Sequence, residues 1–330
     1  MADDQRTGVF LLNMGGPTTV EEVHPFLLEL FSDRDLIALP GGRLVQPLFA
    51  RLVAALRAPG ARRRYAEIGG GSPLVAITGQ QAQALQRRLT ADGDAFRVTV
   101  VMRYTPPRAD EAVGAMRAWG ATRVVALPLY PHYSQATTGS SLADLEGALA
   151  RGGLDCPLVR IADYHDHPGY LDAVAATVRR GLERLGPDAA EQATVLFSAH
   201  SLPRSLVERG DPYQRQVEAC TRGVASRLEL RRWMLAYQSR SGPVKWLEPD
   251  VLGTIEQLAR DGCRALLVVP ISFVSDHIET LHEVEIEMRA FAAGRGIPRF
   301  ERAPALNVDD GFIGALEQIV RSRCQREATT

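Results

Sequence analysis

The stretch RALLVVPISFVSDHIETLHEVEIE, Arg264–Glu287, limits the fold more than any other part of the chain. An apolar run from Ala265 to Val269 is interrupted by Pro270 and resumes to Val274. A run so short and so uniformly apolar reads as a strand buried on both faces, the habit of parallel sheets. Polarity then switches abruptly at Ser275-Asp276-His277, and Glu279, Glu283 and Glu287 follow at i, i+4 and i+8. In a helix those carboxylates share one face, where like charges repel. A file of that kind just past a buried strand is suited to a cation. A solvated helix face is the plainer alternative, and it fits Glu287 best.

The same strand signal recurs along the chain in two sets. Gly8 to Met14, Phe96 to Met102, Arg123 to Leu129 and Pro157 to Ile161 form the first. Ala193 to Phe197, Trp233 to Tyr237, the Arg264 stretch and Pro298 to Ala303 form the second. Helical lengths such as Ala109 to Trp119 and Leu247 to Ala259 lie between them, and Thr18 and Thr19 offer N-cap hydroxyls ahead of Glu21 and Glu22. Strands alternating with helices imply right-handed crossovers and parallel pairing. Gly120 to Leu129 can be laid on Gly262 to Ile271 without a gap, which reads as a duplicated unit. Under that overlay Thr137 lies opposite Glu279 and Gln135 opposite His277. The expected fold is therefore α/β: two similar Rossmann-like domains, each a four-stranded parallel sheet flanked by helices. The domains are placed at 1–165 and 166–330, with a last helix, about 311–330, able to pack back on the first.

Composition narrows the function classes. The formal net charge of −1 gives no bulk attraction to nucleic acid. No stretch approaches the ~20 apolar residues of a spanning helix, and Met1-Ala2-Asp3-Asp4 is acidic where a signal peptide is basic. The expectation is a cytoplasmic protein, at most lying peripherally against the inner face of a membrane. The 4 cysteines, Cys156, Cys220, Cys263 and Cys324, are scattered singly and read as reduced thiols rather than as a zinc or iron–sulfur set. Gly15-Gly16 and Gly69-Gly70-Gly71 lack the spacings that cradle nucleotide phosphates.

In open α/β sheets ligands bind outside the carboxyl ends of the strands. Two such rims facing each other make a cleft between domains. His200 sits at one strand exit, suited to act as a general base near neutral pH, or simply as a strand-end imidazole satisfied by hydrogen bonds. His277 and His282 lack the spacing of a tightly held zinc site, so one imidazole with one carboxylate reads better, as a weak, exchangeable metal site. His165 and His167, flanking Asp166, read as a helix start. Leu27, Leu28, Leu30, Phe31 and Leu36 form an apolar set. They are core, or, at a cleft lip, a surface for a flat aromatic ligand or a membrane.

Several segments then match a known pattern in order over nearly the whole chain: LLNMGGP (Leu11 to Pro17), FSDRDLIALP (Phe31 to Pro40), IGGGSPL (Ile68 to Leu74), MRYTPP (Met102 to Pro107), LPLYPHYSQATTGSS (Leu127 to Ser141), FSAHSLP (Phe197 to Pro203), RGDPY (Arg209 to Tyr213), YQSRSGPVKWLEPD (Tyr237 to Asp250) and SDHIETLHEVEIE (Ser275 to Glu287). They resemble the ferrochelatase family. The resemblance implies two chelatase-type domains clasping a porphyrin, and a lyase that inserts ferrous iron into protoporphyrin IX with release of two protons, the last step of haem biosynthesis. On it, His200 matches the catalytic histidine and Glu279 the paired carboxylate. The metal would meet His200 and Glu279, with Glu283 and Glu287 as an outer acidic file, and Asp276 matches a neighbour of that pair. Met14, Leu30, Phe31, Leu36, Arg103, Ser134, Thr137, Trp246 and His277 match positions around the porphyrin. Met14 favours protoporphyrin, because coproporphyrin-type members tend to carry Tyr there.

The chain also departs from the pattern. Ala66-Glu67 replaces an Arg-Arg of animal members, leaving Arg62, Arg63 and Arg64 as substitutes for gripping a propionate. Gln135-Ala136 stands where some cluster-bearing members carry Cys, and the tail offers only Cys324, so no iron–sulfur cofactor is expected. Without cluster or hydrophobic tail, a monomer is expected. The alternatives are a coproporphyrin III or other tetrapyrrole metal chelatase, and a non-catalytic porphyrin or haem carrier.

Overall fold

The structure, a computed structural model, describes residues 5–34, 42–240, 242 and 244–327, with the backbone alone at 42–44 and 327. Leu36 lies outside the described residues. The chain divides into two compact units, Met1–Asp163 with Leu316–Thr330, and Tyr164–Ala315.

The first unit holds β1 (Thr7–Asn13), β2 (Phe96–Met102), β3 (Arg123–Pro128) and β4 (Leu158–Arg160) in the order β2-β1-β3-β4. All pairings are parallel. β1 is central, and its seven residues are all buried. That is why its sequence is apolar without alternation. The helices Ala109–Trp119 and Ser140–Gly152 pack on one face, where Phe10, Leu12, Val113, Met116, Val124 and Leu145 form a core. Each large apolar side chain there contributes roughly 1.5–3 kcal/mol by leaving water. The helix Asp310–Glu327 ends in this unit: Arg321 pairs with Asp94 and donates to the Leu89 carbonyl, and Arg123 of β3 donates to the Cys324 carbonyl.

The second unit repeats the plan with β5 (Thr194–His200), β6 (Trp233–Gln238), β7 (Ala265–Pro270) and β8 (Arg299–Arg302), ordered β6-β5-β7-β8 and again parallel. Its core joins Leu196, Ile255, Leu266, Val268, Val284 and Phe300. In both units a π-helix follows the third strand, Gln135–Gly139 after β3 and Glu279–Met288 after β7. This wider i→i+5 turn is rare, usually short, and frequent at functional sites. The overlay of Thr137 on Glu279 therefore places one π-helix on the other.

Local expectations needed correction in three places. β7 does not resume after Pro270; the Phe273 amide turns back to the Pro270 carbonyl, so 271–274 is a turn over the strand end. Thr18 and Thr19 cap no helix. The helix is Val23–Ser32, and Glu22 instead accepts from the Thr18 amide and hydroxyl. The helix expected from Leu247 starts at Val251, where the Asp250 carboxylate accepts from the Gly253 amide.

Packing accounts for one glycine in each of the two runs. Gly15 has φ +84°, and a Cβ there would lie 2.2 Å from Thr105 Oγ1. A Cβ on Gly71 would lie 2.0 Å from the Thr18 carbonyl oxygen, because the Ser72 amide bonds Pro17 O at 2.7 Å. The 69–72 loop thus docks backbone to backbone on the β1 exit, a close approach only glycine permits. The four cysteines are free thiols, and burial pushes that of Cys220 up to about 12. Among the described residues, no helix is long and apolar enough to cross a membrane.

Candidate active site

β5 and β7 are neighbours in the second sheet, so their carboxyl ends open side by side. His200 is the last residue of β5, and Glu279 is the first residue of the π-helix that follows β7. The His200 Nδ1 and Glu279 Oε2 are 2.9 Å apart, with side chains 35% and 24% exposed. The pair lies within one unit and one sheet. It does not divide between the two facing rims expected from the sequence.

Ser239 follows β6 with φ 63°, a left-handed conformation uncommon for any residue but glycine. That twist turns its amide to Glu283 Oε1 at 2.9 Å, while its hydroxyl lies 2.6 Å from Glu283 Oε2 and 3.0 Å from Glu279 Oε2. A hydroxyl has one proton and cannot donate to both carboxylates at once.

The electrostatics set these groups apart. Burial raises the Glu283 pKa, and the Glu279 charge raises it further. Burial works against charging Glu279 as well, but the His200 ring, by charge and hydrogen bond, holds its carboxyl below the ordinary range. For His200, burial favours the neutral ring; Glu279 and then Glu283 overcome it and keep the imidazole pKa above its usual value. His277 moves the other way, lowered by burial and by the charge of His200 despite Glu279 and Asp276. An imidazole held above its usual range is thus followed by a carboxyl held below its own and a second carboxyl held above its own. Glu287, next in the file, is exposed, and its carboxylate lies 3.5 Å from His282.

The neighbours divide by task. Asp276 accepts from Arg302, Asn307 and Thr280, each at 2.9 Å, so its carboxylate is committed to holding the turn. The His277 ring packs 4.4 Å from that of Phe273, which stands edge-on to His200 at 6.3 Å. Trp246, bridged to Pro203, buries an indole N–H that has no partner among the described residues.

The remaining expected pocket residues sit in the first unit. Met14, half-buried, leaves β1, and its carbonyl accepts from the Tyr104 amide. Leu30 and Phe31 close the helix Val23–Ser32, where Phe31 is buried under the Arg57 guanidinium. Arg103 pairs with Asp33 at 2.9 Å, and Tyr104 and Ser140 donate to the same carboxylate. Its charge is already matched within the unit. Ser134 is buried and caps the first π-helix by accepting from the Ala136 amide, and Thr137 is half-buried on that turn. Arg62, Arg63 and Arg64 are exposed, and Arg62 donates to the Val20 carbonyl. His167 sits at the N-cap position of the helix Pro168–Leu185.

The residues brought together are His200, Glu279, Glu283 and His277, joined by Ser239, Ser272, Phe273 and Tyr213, which sequence reasoning gave no role. Tyr213 lay in the RGDPY segment and Ser239 in the β6 exit, both noted as motifs. A positive φ at a serine leaves no mark in the sequence.

The chain is similar over nearly its whole length to known proteins. The family model described as Ferrochelatase matches residues 6–324. A protein named ferrochelatase from Geobacter metallireducens is 47% identical over 317 residues, covering 96% of this chain and 98% of that one. One from Geotalea uraniireducens is 45% identical, covering 98% and 99%. One from Synechocystis sp. is 48% identical, covering 96% of this chain and 82% of its own. Among solved structures, SirB from Bacillus subtilis with Fe3+ superimposes with a TM-score of 0.59 at 12% identity, covering 99% of this chain and 98% of that one. At that identity the likeness speaks to the fold alone.

Proposed function

The chain belongs to the ferrochelatase family of metal-inserting lyases, and from that premise we propose that it inserts ferrous iron into protoporphyrin IX, releasing two protons, as the last step of haem formation. The observation that carries the reading is the 2.9 Å contact of His200 with Glu279, extended by Ser239 to a second carboxyl on Glu283.

The chemistry requires such a set. Two pyrrolic N–H protons must leave as a divalent ion enters the plane of four nitrogens. A flat ring hides both its protons and its lone pairs in that plane; a saddled ring, nearer the transition state, exposes them. His200 accepts a pyrrolic proton as neutral imidazole. Glu279, charged beside it, stabilises the imidazolium and presents an oxygen ligand to the incoming ferrous ion. Ser239 and Glu283 take the proton on toward exposed Glu287. General-base catalysis of this kind contributes ~10²–10⁴-fold. Met14 at the β1 exit supports protoporphyrin: a thioether suits an apolar vinyl-bearing edge better than a further carboxylate.

The same reading includes transient contact with a membrane surface, since its substrate is a poorly soluble macrocycle. The helix Gly42–Glu67 exposes Leu48, Leu52 and Leu56 at four-residue spacing, with Arg51, Arg57, Arg62, Arg63 and Arg64 beside them and no acid before Glu67. An apolar stripe edged by arginine is the pattern of a helix resting on anionic lipid.

The test is anaerobic turnover with Fe2+ against protoporphyrin IX and coproporphyrin III. The proposal expects a higher kcat/KM for protoporphyrin IX. Preference for coproporphyrin III would overturn the substrate assignment. Tight porphyrin binding without metal insertion would make the chain a carrier.

A further inference from the structure

β5 is paired on its two sides to different lengths. Toward β6 the register continues to His200 opposite Gln238. Toward β7 it stops at Ser198 opposite Pro270, with one more bond from the Ile271 amide to the Ser198 carbonyl. The backbone of His200 therefore has no strand to bond on the β7 side, although a strand end left unpaired frays.

Two side chains take that place. The His200 amide donates to Ser272 Oγ at 3.2 Å, and Tyr213 Oη donates to the His200 carbonyl at 2.8 Å. Ser272 Oγ and Tyr213 Oη are 2.7 Å apart. Proton counting fixes the direction of that last bond. The single phenol proton is used on the carbonyl, so the serine hydroxyl donates to the phenol oxygen. The three bonds close a ring through the backbone of one residue: amide to serine, serine to tyrosine, tyrosine to carbonyl.

The members come from separate elements. Tyr213 is buried and opens the helix Tyr213–Arg227, its amide held by the Asp211 carboxylate at 3.0 Å. Ser272 lies in the turn beyond β7, and Phe273 beside it stands edge-on to the His200 imidazole.

We propose that Tyr213 and Ser272 are positioning residues, which hold the His200 backbone at the unpaired strand end and so set the imidazole against Glu279. Neither touches the reacting groups. The catalytic consequence rests on the function proposed above; the clamp itself rests only on this geometry. Displacing a catalytic group by about 1 Å can cost ~10²-fold in rate, so a loosened strand end is felt chiefly in kcat.

The experiment compares Tyr213→Phe, Ser272→Ala and Ser272→Thr with the wild-type chain, using Tyr164→Phe as a control that removes a buried hydroxyl from the same unit without touching the ring. Two readouts are taken: hydrogen exchange of the His200 amide in the substrate-free protein, and metal insertion into protoporphyrin IX followed by absorbance. Tyr213→Phe and Ser272→Ala should each lose protection at the His200 amide while Leu196 stays protected. Each should lower kcat roughly 10- to 100-fold at unchanged porphyrin KM, and the double variant should be no worse than the poorer single one. Ser272→Thr keeps the hydroxyl and should restore both readouts. Unchanged amide protection in Tyr213→Phe and Ser272→Ala would overturn the clamp. Lost protection with wild-type kcat would overturn the positioning role. If the wild-type chain inserts no metal, the functional proposal fails by itself, and amide exchange still decides the clamp.

Discussion

His200 stands where burial pushes its pKa down and two carboxylates push it up, and the carboxylates win. A base must be neutral to accept a proton. Turnover should therefore rise with pH through a value above that of a free imidazole, giving an acid limb displaced to higher pH. Glu283 is one source of that displacement, so Glu283→Gln should shift the limb of kcat to lower pH, because less negative charge stabilises the imidazolium. A pH–rate profile of the two proteins decides it; an unmoved limb would mean that His200 does not titrate in the rate-determining complex. At this scale the sequence was readable where chemistry is scarce and silent where it is common. One histidine at a strand exit and carboxylates at four-residue spacing stand out. Ser239, Ser272 and Tyr213 do not, because serine and tyrosine occur at strand ends for many reasons. Only the positive φ of Ser239 and the closed hydrogen-bond ring give these residues their tasks.

The element that most alters the picture is the π-helix Glu279–Met288. Spacing at i, i+4 and i+8 predicts a file along one face of an α-helix; the wider turn keeps Glu279 and Glu283 close enough to share Ser239 and leaves Glu287 in solvent. Nothing in ETLHEVEIEM distinguishes an α- from a π-helix, since the two differ by one residue per hydrogen-bonded turn. The run after Pro270 misled for a related reason. Ile271 and Val274 are buried, as in a strand, but in a turn folded over the strand end. The helix Gly42–Glu67 carries a different prediction. Replacing Leu52 and Leu56 together with Asp should abolish co-sedimentation with vesicles containing anionic lipid. Turnover with detergent-solubilised porphyrin should stay within about twofold, since surface substitutions usually change stability by no more than about 0.5 kcal/mol. Binding that survives the double change would remove this face from the membrane-contact proposal.

For the whole molecule, the two-sheet plan followed from buried strands that are uniformly apolar and from helical lengths between them, signals set by the strongest term in folding. Both sheets have the same order and each third strand leads into a π-helix, so the duplication seen between Gly120 to Leu129 and Gly262 to Ile271 extends to topology. The two copies differ in what those turns carry. At corresponding turns the first has Gln135 and Thr137, groups that do not titrate, and the second has His277 and Glu279. The central claim is that the second copy's imidazole removes a porphyrin proton while the metal enters. The most direct measurement is single-turnover metal insertion by His200→Ala at saturating protoporphyrin IX, with porphyrin affinity measured alongside. The account predicts a loss of at least ~10²-fold in the insertion rate with affinity kept; a rate within a fewfold of wild type at unchanged affinity would contradict it.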